Sequence, residues 1–217
     1  MPGFLARPIQ TPPFGNPAVV VLHEWWGLND QIKGVARRFA ESGFVALAPN
    51  LYNRQGGTVA GDPQEAGALM AAYSSQWGLR DLNAVIRHLR AQPFVDQQRV
   101  GVIGFSMGGI MSLILAGHHS DIKASVAFCA KPPPVETFAY TLCPIQFHHA
   151  GKDGWVTGKE VDALRAALEK NGQHGHAHVY PEADHAFYNE TRPEVYRAED
   201  ARLAWERTLE FLRTHLG

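Results

Sequence analysis

Ser106, Asp153 and His185 occur in the chain order that acyl-transfer chemistry through a serine could use. A serine hydroxyl is a weak nucleophile at neutral pH, so a base must take its proton and a third group must orient that base. Ser106 lies in Gly104-Phe105-Ser106-Met107-Gly108, a GxSxG pattern between an apolar run and the helix-like stretch MGGIMSLIL. A strand that turns sharply into a helix exposes the serine oxygen, and glycines two residues to either side remove Cβ atoms that would clash. The chain holds 21 glycines, so the pentapeptide carries weight through the strand before it and the helix after it. Asp153 lies in GKDG and His185 in PEADHAF, each just past an apolar, strand-like segment. Asp153 has a second reading as a turn residue capping a helix that begins near Thr157. Asp184 adjoins His185 and is badly placed to reach its ring, while Glu136 follows the wrong strand.

A tetrahedral oxyanion needs two donors aimed at it. The first amide after the nucleophile, Met107 N–H, is one candidate. The other is Trp25 N–H, in the segment His23-Glu24-Trp25-Trp26-Gly27, which stands where HGGG-type loops supply a donor. Glu24 is unusual there, because a carboxylate behind an oxyanion hole weakens catalysis unless it is neutral or paired. Its alternative is a turn residue bonded to nearby backbone.

The elements that must hold these groups follow from periodicity. Residues 18–23 and 44–48 are short apolar runs bounded by Pro and Gly, which read as strands buried on both faces. Between them, residues 30–41 place Ile32, Val35, Phe39 and Ala40 on one helical face, and Gly43 stops the helix. Residues 49–63 read as a loop, and a shorter helix runs from 63 to about 73. Leu79, Leu82, Val85, Ile86 and Leu89 mark an amphipathic helix before a strand at 99–104. Strands are predicted at 122–130, 144–150 and 177–180, with a helix around Val161, Leu164 and Leu168 and a closing helix through Trp205, Leu209, Leu212 and Leu216. This alternation predicts one α/β domain over residues 1–217, a mainly parallel sheet with helices on both faces and the site at the strands' carboxyl ends.

Composition narrows the partner. Twenty basic residues balance 21 acidic ones with no run of like charge, which argues against nucleic acid and acidic membrane surfaces. No stretch reads as a membrane span or a secretory leader, so the expectation is a cytoplasmic protein, monomer or weak homodimer, acting on a small molecule. Cys129 and Cys143 lie in strand-like apolar segments without ligand spacing and read as reduced core thiols. His174, His176 and His178 alternate along one strand face, yet no carboxylate or cysteine is spaced to join them, and no metal or cofactor is expected. His148 and His149 read as packing and loop support, and His118 and His119 as a helix end. Aromatic residues near the active loops, Trp25, Trp26, Tyr52, Trp155 and Phe187 among them, are candidates for lining an apolar pocket.

Five blocks together resemble the dienelactone hydrolase family: HEWWGLND at 23–30, the segment at 48–57, GVIGFSMGG at 101–109, GKDGWV at 151–156 and YPEADHAFYNETRP at 180–193. The likeness covers nearly the whole chain. It implies an α/β-hydrolase fold and cleavage of an ester or lactone through a triad carried here by Ser106, Asp153 and His185. It also implies that Glu24 contacts the nucleophile and that Arg54 binds a substrate carboxylate; Tyr52, Trp26 and Phe187, from the aromatics near the active loops, are the further substrate-binding candidates. Two departures stand out. Ser106 occupies the position of a cysteine in members acting on dienelactone, and an alcohol cannot ionise as that thiol does. The fourth residue after His185 is Asn189 where such members carry an arginine, and Arg192 is the nearest basic residue. The resemblance therefore points to a serine carboxylesterase or lactonase; dienelactone hydrolysis proper, thioester cleavage, acyl transfer and ligand binding without turnover are the alternatives.

Overall fold

Valine-rich and alanine-rich runs build the middle of the sheet in the computed structural model, which describes residues 1–134, 136, 138, 141–170, 172 and 176–217. The strands are β1 (Gly3–Ala6), β2 (Asn16–Leu22), β3 (Val45–Pro49), β4 (Val95–Phe105), β5 (Ile122–Phe128), β6 (Ile145–Ala150) and β7 (His176–Tyr180). Among the described residues they form a seven-stranded sheet in the order β1-β3-β2-β4-β5-β6-β7. All neighbours are parallel except β1, which runs antiparallel to β3 with Gly3 opposite Pro49. The edge strand β1 was not anticipated, since four residues give too little alternation to read. β4 also begins four residues earlier than its apolar core suggested, because Val95 and the polar residues 96–98 extend it.

Helices cover both faces, each driven by one apolar stripe. On one face lie α3 (Ser75–Arg90), α4 (Met107–His118) and α5 (Gly158–Lys170), packed on Val20, Leu22, Val100 and Val102. The opposite face holds α1 (Asp30–Glu41) and α6 (Ala198–Leu216), which bury Phe39, Phe211 and Leu212 against Val19, Val21 and Ile103. Successive residues of β2 therefore feed opposite cores, as a pleated strand buried on both sides requires. A further helix, α2 (Pro63–Ala72), is set off from these layers and fully buries only Ala66. Asn29 caps α1, and at α2 Asp62 Oδ1 accepts from Glu65 N while Glu65 Oε2 reaches back to Gly61 N.

Chain order reverses between β2 and β4: β3 lies on one side of β2 and β4 on the other. Leu22 and Gly104 are register partners, so the segments leaving these two strands emerge side by side. Such a crevice at the carboxyl ends is where an open α/β sheet places its ligand.

Candidate active site

Ser106 joins β4 to α4 with φ 50° and ψ −112°, a backbone region that costs an L-residue of order 1–3 kcal/mol. Its amide donates to Phe128 O at 2.8 Å, which ties the turn to β5. A Cβ on Gly104 would lie 2.0 Å from Gly108 O, and one on Gly108 would lie 2.4 Å from Leu22 O. Both glycines are thus required for the turn to close and for α4 to start against β2. At the start of α4, Met107 has an amide with no acceptor inside the helix, which leaves it free for a ligand.

The structure brings Ser106, His185 and Asp153 together from the ends of β4, β7 and β6. Ser106 Oγ donates to His185 Nε2 at 3.0 Å, and His185 Nδ1 donates to Asp153 Oδ2 at 2.8 Å. The other carboxylate oxygen, Asp153 Oδ1, accepts from the amides of Trp155 (2.8 Å) and Val156 (3.1 Å). Burial pushes this carboxyl group up, but the bonds from His185, Trp155 and Val156 outweigh it and hold Asp153 below the usual carboxylate range. The side chain of Asp153 is wholly shielded from water, whereas that of His185 is 24% exposed. Thr157, paired with Glu160, caps α5, so the helix-cap reading of Asp153 does not hold.

Cys129 reinforces the same corner. Its sulfur lies within 4.8 Å of ligand atoms of both Asp153 and His185, and its amide donates to His148 O at 2.9 Å. Burial first, then the Asp153 charge, pushes the thiol up to about 12, so it stays protonated. It has a left-handed φ of 46°, and Ala186, the residue after His185, has φ 65°. Cys143 is also a free, buried thiol.

Two side chains, those of His23 and Tyr52, set the loop that follows β2. His23 Nε2 accepts from Leu51 N at 2.9 Å, so its proton is on Nδ1, which donates to Glu24 O at 2.6 Å. Glu24 O also accepts from Gly27 N at 3.2 Å. In a trans peptide the following N–H points the opposite way from that carbonyl, so Trp25 N–H is turned out of the loop. The next carbonyl, Trp25 O, accepts from Tyr52 Oη at 2.9 Å. Burial lowers His23 from 6.5 to about 4, which keeps the ring neutral and the Leu51 bond intact.

These groups open onto a cavity of about 580 Å³, lined by Trp25, Ser106, Trp155 and His185, with Met70, Arg192 and Val195 further out. The Trp25 and Trp155 rings meet edge to face with centroids 6.2 Å apart.

The dienelactone hydrolase family model matches residues 1–216. The chain belongs to this family. It is 38% identical to the protein usf of Aquifex pyrophilus over 216 residues, covering 96% of this chain and 92% of that one. A Methylorubrum extorquens protein provisionally named a carboxymethylenebutenolidase is 31% identical over 227 residues, covering 99% of this chain and 77% of the relative. A crystal structure from Klebsiella pneumoniae, provisionally named a dienelactone hydrolase, superposes with a TM-score of 0.90 at 30% identity, covering 98% and 92% of the two chains.

Within this dienelactone hydrolase fold, several side chains expected at the substrate are elsewhere. Arg54 Nε and Nη2 make a forked pair with Asp81 at 2.8 and 2.7 Å, and its guanidinium stacks on Trp77 at 4.5 Å. It lines a separate depression beside α3, not the cavity at Ser106. Tyr52 is fully buried and supports the oxyanion loop from below, with a second contact from Oη to Met107 Sδ at 3.4 Å. Phe187 is also fully buried, against Tyr180 and Phe128. Trp26 faces Arg192, whose guanidinium lies 5.8 Å from its ring, and is not among the cavity's lining residues.

Glu24 is 6% exposed and accepts from Asn189 Nδ2 at 3.1 Å. Burial raises its carboxyl above the usual range, opposed by Asn189, His185 and Arg192. His23 and Asn189 had not been assigned roles in the sequence. The His of the HGGG-like block was a usable signal for the first; for Asn189 the departure from arginine after His185 marked the place without the partner.

His148 accepts from Tyr180 Oη at 2.8 Å and donates to Gln146 Oε1 at 3.0 Å, a packed neutral ring between strands. His176 and His178 stack with centroids 6.4 Å apart, and His174 lies outside the described residues. No described helix is long and apolar enough to cross a membrane.

Proposed function

We propose that this protein is a single-domain serine hydrolase of small carboxylic esters or lactones. The observation that carries the reading is the unbroken relay from Ser106 Oγ to His185 Nε2 and from His185 Nδ1 to Asp153 Oδ2, at 3.0 and 2.8 Å. His185 takes the Ser106 proton as Oγ attacks the ester carbonyl, and the carbonyl oxygen becomes an oxyanion held by the amides of Met107 and Trp25. When the tetrahedral species collapses, His185 returns that proton to the leaving alkoxide and an acyl-enzyme remains. His185 then deprotonates a water that attacks the acyl carbon, and the second collapse releases the acid and restores Ser106. Asp153, ionised and buried, holds His185 with its Nδ1 protonated and stabilises the imidazolium formed at each step.

The relatives' names favour a lactone substrate, and the pairing of Arg54 with Asp81 favours neutral esters over the dienelactone carboxylate. A panel of p-nitrophenyl esters, acyl thioesters, simple lactones and a dienelactone, assayed with wild type and Ser106→Ala, tests the assignment. Ester or lactone turnover that disappears in the variant supports it. Turnover restricted to thioesters makes the protein a thioesterase, and ester turnover unchanged in Ser106→Ala overturns the mechanism.

A further inference from the structure

The cavity at Ser106 combines an aromatic wall with cations that already have partners. Four charged side chains line it: Lys152, Asp184, Arg192 and Glu194. Arg192 Nε donates to Glu194 Oε1 at 2.8 Å, and Lys152 pairs with Glu182 at the rim. Glu24 is a further acidic group close enough to be influenced by Arg192 and His185. An incoming carboxylate would thus meet Asp184 and Glu194 without finding an unmatched cation, and it would lose hydration on entry.

The apolar part of the wall is organised by the same residues that hold the triad. Trp155 donates its amide to Asp153 Oδ1 at 2.8 Å, and its neighbour Val156, also bonded to Asp153, is 1% exposed. The acid of the triad therefore anchors the backbone from which the Trp155 ring projects, and that ring stands 6.4 Å from the His185 ring and 6.2 Å from Trp25. Trp155 is nonetheless 68% exposed, so most of its surface is available to cover a ligand. Trp25, whose amide is the proposed oxyanion donor, lines the same cavity as Ser106, with its ring edge to face against Trp155. On the outer side, Met70 comes from α2, a helix with one charged residue, Glu65, and only Ala66 fully buried.

We infer that the site selects uncharged esters whose acyl group is apolar and flat enough to pack against Trp155 and Trp25, and that it discriminates against anionic acyl groups. This rests on the Ser106 hydrolase reading and extends it to the substrate class. An aromatic acyl group gains ring contact, while an acyl chain ending in a carboxylate must compete with Glu194 for Arg192.

The test uses three acyl groups on one leaving group: p-nitrophenyl hexanoate, p-nitrophenyl phenylacetate and mono-p-nitrophenyl adipate, each corrected for its uncatalysed rate. Wild type is expected to show kcat/KM for the hexanoate at least about tenfold above that for the adipate. Trp155→Ala should lower kcat/KM for the phenylacetate about tenfold or more, mainly through KM, with a smaller loss on the adipate. Glu194→Gln, which weakens the hold on Arg192, should raise the ratio of kcat/KM for the adipate to that for the hexanoate several-fold. Equal or faster turnover of the adipate by wild type overturns the inference, as does an equal loss on all three substrates in Trp155→Ala. Turnover that survives Ser106→Ala contradicts the underlying hydrolase mechanism instead.

Discussion

Asn189 Nδ2 donates to Glu24 Oε2 at 3.1 Å, joining the loop after β7 to the oxyanion loop after β2. The two loops carry His185 and Trp25, so one buried side-chain bond connects the proposed base to the proposed oxyanion donor. Both partners are almost fully shielded, with Asn189 at 2% and Glu24 at 6% exposure. Removing one partner strands the other, at about 1–3 kcal/mol for a buried polar group. Asn189→Ala and Glu24→Ala should each destabilise the fold, and a double-mutant cycle by urea denaturation should give a coupling of about 1 kcal/mol or more. Additive losses would show that the bond contributes nothing of its own.

Asp153→Asn should preserve the fold and abolish most of the activity. Asparagine keeps an oxygen for the Trp155 and Val156 amides, but its NH2 group then faces His185 Nδ1 and favours the wrong tautomer. The expected loss in kcat is roughly a thousand- to ten-thousandfold, with KM little changed. Steady-state kinetics beside a thermal melt checks this, and a near-normal kcat would move the acid to another residue.

Acid should loosen the protein through its buried neutral histidines. His23 falls from 6.5 to about 4 on folding because it is buried, so the unfolded chain binds a proton there that the native state refuses. Its contribution is complete above pH 6.5 and is lost as pH falls towards 4. Between pH 7 and 5 the loss from His23 alone is about 2 kcal/mol. His178, lowered to about 4, and His148, held by burial well below its usual value, act in the same direction. Urea midpoints should therefore drop from pH 7 to 5, with a shallower drop in His23→Gln; an equally steep drop in that variant would remove His23 from the explanation.

Ser106, Asp153 and His185 were legible because each follows an apolar strand, and a parallel sheet brings all such strand ends to one edge. What a sequence cannot state is where a loop side chain points. Tyr52 and Arg54 share one loop, yet Tyr52 turns inward to Trp25 O and Arg54 turns away to Asp81. Phe187 has the composition of a pocket residue and the position of a core residue. Asn189 acquires meaning from Glu24, 165 positions away, and no local pattern encodes that distance. β1 was missed for a related reason: its pairing with β3 is long-range, and four residues carry no periodic signal of their own.

The central claim is that Ser106 is the nucleophile activated by His185. Intact-mass measurement after treatment with a fluorophosphonate tests it most directly. One phosphonyl adduct is expected on the wild-type protein, located to Ser106 by peptide mapping, and none on Ser106→Ala. Unlabelled wild-type protein, or an adduct that persists in Ser106→Ala, would contradict it.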